Sequence, residues 1–552
     1  MRNLKRALSL ALASVMLLGM MVVGSSAKGI DDFTDKAEIV NQDAVAVTSA
    51  IGMFEGYEDG SFGPENVVTR AEMAVIICTM LYGAGVNVNQ FAETNVFTDV
   101  PAWAEGYVNL CSSLGIVAGV GDGKFDPNAT VTTAQAVLML CRALGYFQSA
   151  ADFGSDWMLA ATAKGTALGL YGDLKLAANE GLTRDNVAEL VFNALTKAVP
   201  VQYNELLGVY YNENKGILYS LTYYYTDTLG YKNFDLVYKT NENTDYGRPG
   251  TTWGIGSYRM DGNPSGEGNK EGVLNEDGSL IPERVKMTSD DEIITVADTP
   301  DFTYTANTKE NVIYKAVGKS VVDDYAWNIY VDGAEQAGDD LAPANDKDTD
   351  YAYTAKGATT EIYVDDVNET VTVVMINYYM AEVTKVKDGE NTVRVLSDKA
   401  KTNPIDERTI TADGFAEDDY VVITVDVDDD GDSFVASIDA PATAEGSVSY
   451  VSKLSEAEGN KDGQYAKLDD GNKYTYSKYT ASDLDDINME HPTLDVNYRL
   501  YLDPNGYVLG FLALDNYYEN YLYVESAASY LNSIDAKVIF TDGTEKQVKI
   551  DD

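Results

Sequence analysis

A single histidine, His491, and three cysteines stand in a chain of 552 residues. One imidazole excludes any site that needs two, which removes most zinc hydrolases and the di-histidine metal centres. It also leaves only one candidate base for a Ser-His-Asp arrangement. Basic side chains are scarce: 40 Lys and Arg stand against 88 Asp and Glu, a formal charge of −48. A surface this negative repels phosphate backbones and argues against nucleic acid as a partner. Cys78, Cys111 and Cys141 are odd in number, follow no framework spacing and lie in apolar helical contexts such as Ile76-Ile77-Cys78. They read as buried free thiols, with a Cys78–Cys141 bridge as the alternative. Stability therefore has to come from cores, and at 45 % apolar and 11 % aromatic the composition is rich enough to build them. At about 150 residues per domain the length suggests three or four domains.

Only one apolar run approaches membrane length. Ala7 to Val23 follows Arg2, Lys5 and Arg6 and ends in Ser25-Ser26-Ala27. That order is an export signal over residues 1–27, cleaved after Ala27; a retained anchor is the competing reading of a 17-residue run. No cysteine follows the run, so no lipid anchor is expected. Cleavage removes three cations, takes the charge to −51 and leaves a secreted chain with no membrane segment.

Internal repetition dominates the next part. Phe33-Thr34-Asp35 recurs as Phe97-Thr98-Asp99, and the turn from Gly56 to Pro64 (GYEDGSFGP) recurs from Gly119 to Pro127 (GVGDGKFDP). Thirteen residues after the first glycine of each turn stand Thr69-Arg70-Ala71-Glu72 and Thr132-Thr133-Ala134-Gln135. A more worn copy has Asp152-Phe153, Trp157, Gly172 and Thr183-Arg184-Asp185-Asn186, with the interval shortened to eleven. Eight residues beyond the threonines lie Ile77, Leu140 and Val191, and twelve beyond lie Leu81, Leu144 and Leu195. Each unit reads as helix, glycine-rich turn, helix, with the threonine as N-cap and Glu72 or Gln135 completing a capping box. The arginines fit the cap poorly. Arg70 and Arg184 occupy the same slot one residue after it, where a cation opposes the helix dipole. Exposed there beside free amides, they suit an anionic ligand.

This combination of Phe-x-Asp, a Gly-x-x-x-Gly-x-Phe-x-Pro turn and Thr-Arg-Ala-Glu resembles the S-layer homology domain over residues 28 to about 200. The resemblance implies an all-α pseudo-trimer of three repeats, 28–90, 91–149 and 150–200. It further implies grooves that bind a secondary cell-wall polysaccharide of Gram-positive, peptidoglycan-associated walls, often through an acidic, pyruvylated sugar. The groove residues it carries over are Thr69, Arg70 and Glu72, then Trp103, Thr132 and Gln135, then Trp157, Thr183 and Arg184. Three departures stand out: Ile39 or Val40 in place of the first tryptophan, Thr133 in place of the second arginine, and no Phe-x-Pro turn in the third unit. Trp103 and Trp157 admit two readings, core packing and carbohydrate stacking.

Past Pro200 the pattern alternates, as in Thr370-Val371-Thr372-Val373-Val374 and Tyr420-Val421-Val422-Ile423-Thr424, and Asp-Gly and Asn-Gly pairs supply turns. Residues 201–552 carry −39 of the charge and read as β-rich, Ig-like or sandwich-like modules over 201–300, 301–380, 381–445 and 446–552. The segment Asp245-Tyr246-Gly247-Arg248-Pro249 through Trp253 reads as a structured turn with a buried indole. Asp426, Asp428, Asp430 and Asp432, with Gly431, imitate a calcium loop, but Ser437 stands where the bidentate glutamate belongs and strands flank it. A hairpin turn is the better reading, calcium the alternative; no cofactor is required. Carboxylate pairs are too common among 88 acids to mark a glycosidase, and no nucleophile or phosphate motif accompanies them. The expectation is a non-enzymatic, wall-anchored surface-layer protein that self-associates, with an anchored adhesin as the alternative and an anchored glycoside hydrolase behind it.

Overall fold

The computed structural model describes residues 30–552 apart from 93–95, 213–215, 218–222, 260–273, 276, 339–340, 398–404, 429, 453–463, 481–491, 515–521, 531–532, 541–543 and 551–552. The expected export signal and His491 lie outside the described residues. Two compact units result, one of residues up to 242 with 249–297, the other of 243–248 with 298–552.

Six helices build the repeats of the first unit: α1 (Gln42–Ala50), α2 (Arg70–Tyr82), α3 (Ala102–Ser113), α4 (Thr133–Ala143), α5 (Trp157–Ala167) and α6 (Arg184–Thr196). Each repeat supplies one pair, yet the packing runs between repeats: α2 on α3, α4 on α5, and α6 back on α1. A single repeat cannot bury its apolar stripe alone, so the three close on one another. Ile77, Leu140 and Val191, equivalent by position, are all fully buried. Main-chain hydrogen bonds seal the ring just before the second helices. Val68 N donates to Leu182 O at 2.9 Å, Leu182 N to Val131 O at 3.1 Å, and Val131 N to Val68 O at 2.9 Å. Each repeat thus donates to one neighbour and accepts from the other, which is the expected pseudo-threefold arrangement in backbone form.

Residues 201–297, expected as a β-module, share this core. Val201, Leu229 and Leu236 belong to the same apolar cluster as the helices. The Asn233 side-chain amide on α7 (Leu229–Phe234) donates to Met80 O and Leu81 O, both at 3.1 Å, and so satisfies carbonyls at the end of α2 that the helix itself cannot. Strands β1 (Gln202–Asn204), β2 (Val209–Asn212) and β3 (Gly216–Ile217) form one small sheet, β4 (Leu236–Asn243), β5 (Pro249–Ile255) and β8 (Glu292–Ala297) form another, and β6 (Ser257–Tyr258) pairs with β7 (Val285–Lys286). Trp253 is half-buried, its ring 5.0 Å from Phe192 on α6 and 4.9 Å from Tyr238. Tyr225 opens a short 3-10 turn.

The second unit is β-rich. One five-stranded sheet uses β9 (Phe302–Tyr304), β10 (Ala326–Val331), β11 (Ala334–Glu335), β12 (Ala358–Asp365) and β13 (Thr370–Asn377). A second uses β14 (Tyr379–Lys387), β15 (Glu390–Val395), β16 (Thr409–Thr411), β17 (Tyr420–Val427) and β18 (Ser433–Asp439). A third runs over strands between Ala442 and Ala513, and a three-stranded sheet between Leu522 and Ile550 ends the series. Among the described strands of these sheets, pairing is antiparallel except for β10 with β13. The hairpins use the turn chemistry of the sequence: Asp332-Gly333 and Asp388-Gly389 both hold positive φ at both positions (50° and 78°, 53° and 84°), as a two-residue hairpin turn requires. Segment 243–248 is a structured turn of this unit. Arg248 makes a bidentate pair with Glu361 on β12 (2.6 and 3.0 Å), and Tyr246 N donates to Asp426 Oδ2 at 2.8 Å.

Candidate functional site

The chemistry of the repeats concentrates where the start of one second helix meets the glycine-rich turn of the next repeat. Each cap is built as its spacing requires. Glu72 Oε2 accepts from Thr69 N at 2.8 Å and from Thr69 Oγ1 at 2.9 Å, Gln135 Oε1 accepts from Thr132 N at 3.2 Å, and Asn186 N donates to Thr183 Oγ1 at 3.3 Å. The Phe-x-Asp carboxylates hold the turns. Asp35 accepts from Phe62 N and Gly63 N at 2.7 and 2.8 Å, and Asp99 from Phe125 N and Asp126 N at 2.8 and 2.9 Å. Those backbone hydrogen bonds keep the Asp99 carboxyl below the usual carboxylate range. In the third repeat Asp152 accepts instead from Ser149 N and the Tyr210 hydroxyl.

The arginines are not exposed. Arg70 retains 9 % of its accessible surface, and Nε and Nη2 donate to Phe125 O and Ala118 O of the second repeat at 3.1 and 3.0 Å. Its guanidinium lies 4.5 Å from the Phe125 ring centre, a cation–π contact. Burial pulls its pKa down, against the opposing pull of Asp126 and Asp99. Arg184 repeats the arrangement on the first repeat: Nε to Phe62 O at 2.9 Å, Nη2 to Glu55 O at 2.8 Å, and the guanidinium 4.8 Å from the Phe62 ring and 5.0 Å from Tyr57. Each arginine is a clasp between repeats, and the expected opposition to its own helix dipole is offset by carbonyls of a neighbour. At the third junction Thr133 is fully buried and its hydroxyl donates to Glu180 O at 3.2 Å.

The tryptophans are exposed, which excludes core packing for both. Trp103 keeps 56 % and Trp157 39 % of their accessible surface, at the starts of α3 and α5. At the matching place in the first repeat Ile39 is buried and Val40 is 79 % exposed. The junctions therefore differ. Turn 119–127 is clasped by Arg70 and held by Asp99, and Trp103 follows Asp99 by four residues in the sequence. Around turn 56–64 stand Arg184 and Asp35 but no tryptophan. The third junction has threonine rather than arginine in the clasp slot, and Trp157 belongs to the repeat that supplies its turn. Sequence reasoning missed the turn-capping role of Asp35 and Asp99, although their recurrence before each turn was the signal.

The calcium-loop candidates are not brought together. Asp426 is 6 % exposed and turns inward to Tyr246 N and Val427 N, whereas Asp428 accepts from Asp430 N and Asp432 N inside the β17–β18 turn. Among the described residues no group of three His, Cys, Asp or Glu is placed to hold a metal ion. The physical reason is the strand register, which sends Asp426 to one face and leaves the turn carboxylates to its own amides.

The repeats thus form a closed ring of three capped helix pairs, two of them with turns held by an aspartate. The S-layer homology domain family matches residues 32–74 and 96–137. The chain is similar to the cell surface protein of Thermoanaerobacter kivui, 35 % identical over 198 residues that cover 35 % of this chain and 25 % of that protein. It is also similar to the surface layer protein of Brevibacillus choshinensis (31 % over 210 residues, 37 % and 17 % of the two chains) and to the cellulosome-anchoring protein of Acetivibrio thermocellus (28 % over 102 residues, 18 % and 23 %). The alignments span about a quarter or less of these relatives. The protein is a multidomain chain with S-layer homology repeats at its amino end and a long β-rich region after them.

Proposed function

We propose that this is a secreted protein held non-covalently to a Gram-positive cell wall by its repeats, which bind a secondary cell-wall polysaccharide, while the acidic β-rich region builds a surface layer. The observation that carries the reading is the junction of the first two repeats, where an exposed indole, Trp103, stands in the same repeat as the turn that Arg70 clasps. An indole face suits the apolar face of a sugar ring. The guanidinium commits Nε and Nη2 to carbonyls, which leaves Nη1 for an acidic sugar group. Thr69, Glu72, Thr132, Gln135, Trp157, Thr183 and Arg184 line the corresponding places at the three junctions, and the first junction contributes most because it alone combines arginine and tryptophan. The names of the three relatives given above, a cell surface protein, a surface layer protein and a cellulosome-anchoring protein, agree with anchoring.

The β-rich region carries −39, so copies packed in a layer need counter-ions between them, and divalent cations at carboxylate contacts supply these better than monovalent salt. The deciding experiment mixes the full-length protein with purified walls before and after chemical removal of the secondary polymer. Sedimentation with intact walls alone is expected; equal sedimentation with stripped walls overturns the assignment.

A further inference from the structure

In the core of the first unit, Sγ of Cys78 on α2 lies 3.5 Å from Sγ of Cys111 on α3. Both residues are fully buried. Each sulfur also lies 3.6 Å from a main-chain carbonyl of the opposite helix, Cys78 from Tyr107 O and Cys111 from Ala74 O, so the two thiols sit at the crossing of the helices. The alternative pairing that the sequence offered, Cys78 with Cys141, is not the one the fold brings together. In the third repeat the residue that corresponds to Cys111, eight after its tryptophan, is Gly165, so the crossing that holds Cys141 on α4 offers no second sulfur.

We infer that Cys78 and Cys111 are a site of oxidative modification, forming a disulfide that covalently joins the first repeat to the second. Bond formation needs the sulfurs to close from contact distance to a bond length of about 2 Å. The chemistry is thiol–disulfide exchange with a small-molecule disulfide such as oxidised glutathione. One cysteine attacks it and releases the first small thiol; the second cysteine attacks the mixed disulfide and releases another, and the two protein protons leave with the two small thiols. The Cys78–Cys111 bond closes a loop of 33 residues across the junction that Arg70 also clasps. In the folded protein the exchange is slow. The contact with Cys78 and burial hold the Cys111 thiol well above the ordinary range, and thiolate is the attacking species. The bond therefore belongs to folding in an oxidising compartment, before the helices close over the sulfurs. The inference does not depend on what the junctions bind.

The test uses the full-length protein, unfolded and reduced, then refolded in mixed oxidised and reduced glutathione, alkylated under denaturing conditions, digested and mapped by mass spectrometry. The expected result is a Cys78–Cys111 linked peptide pair with Cys141 alone alkylated, and a melting temperature of the first unit a few degrees above that of the reduced protein, reversed by dithiothreitol. Three alkylated cysteines, or a link that includes Cys141, overturn the inference. Cys141→Ala should leave the link intact and Cys111→Ala should abolish it. Should either variant fold poorly, the peptide map of the unaltered protein decides.

Discussion

Two junctions of the ring are closed by arginine and the third by threonine, and the difference extends beyond one residue. Where Arg70 and Arg184 reach across, the receiving turn presents a phenylalanine, Phe125 or Phe62, under the guanidinium and is held by an aspartate. Where Thr133 stands, the facing turn is two residues shorter, has lost the Phe-x-Pro pattern, and its former capping aspartate serves another site. Arginine, aromatic ring and turn length thus behave as one device that is present or absent as a whole. A short hydroxyl suffices against a short turn, because Thr133 and Glu180 O are already within hydrogen-bond reach.

The largest effect should follow from removing a clasp. Arg70→Ala deprives two carbonyls of a charged donor and leaves a cavity beside Phe125, so a loss of about 3 kcal/mol in the first unit is expected from two charge-assisted hydrogen bonds. Arg184→Ala should cost a similar amount, because Arg184 makes the same two hydrogen bonds to a neighbouring repeat. Arg70→Lys should not restore stability, since an ammonium cannot donate in a fork to two fixed carbonyls. Chemical denaturation followed by circular dichroism measures all three. Wild-type stability in Arg70→Ala would mean that the clasp is decorative and would return the arginine to a purely ligand-facing role.

A smaller effect separates binding from folding. Trp103→Ala removes an exposed ring and should leave the melting temperature nearly unchanged while weakening wall binding by about 0.5–1.5 kcal/mol, a factor of roughly two to ten. Trp157→Ala should weaken it less, because no arginine serves its junction. Sedimentation at graded wall concentrations reads the difference, and equal losses for the two variants would contradict a leading first junction.

Much of this architecture was legible in the sequence. Thr69, Thr132 and Thr183 mark the helix starts because an N-cap is a local device of four residues, and Ile77, Leu140 and Val191 mark the buried face because helical period is local as well. The role of the arginines was not legible. Their partners lie 55 residues away for Arg70 with Phe125 and 122 for Arg184 with Phe62, and a sequence displays the cation beside its own helix dipole rather than beside a turn delivered by another repeat. The same limit applies to the thiols, whose pairing follows from which helices cross. Asp426 shows why a hairpin was the better reading there: a spacing that imitates a metal loop can arise when strand alternation turns the first carboxylate inward.

The smallest expected effect probes the threonine junction by itself. Thr133→Val keeps shape and apolar volume but removes the hydroxyl that donates to Glu180 O at 3.2 Å. The backbone contact of the same residue remains, since Thr133 N donates to Glu180 O at 2.8 Å, so the carbonyl keeps one partner and only a neutral hydrogen bond is lost. A cost of about 0.5–1 kcal/mol is expected, well below that of Arg70→Ala. Thr133→Arg tests the device from the other side: without a longer turn and a ring to receive it, the guanidinium enters a fully buried site and should destabilise by about 1–3 kcal/mol through overpacking alone. If Thr133→Arg instead stabilised the ring, turn length and aromatic ring would not be needed for the clasp, and the difference between the junctions would reduce to a single side chain.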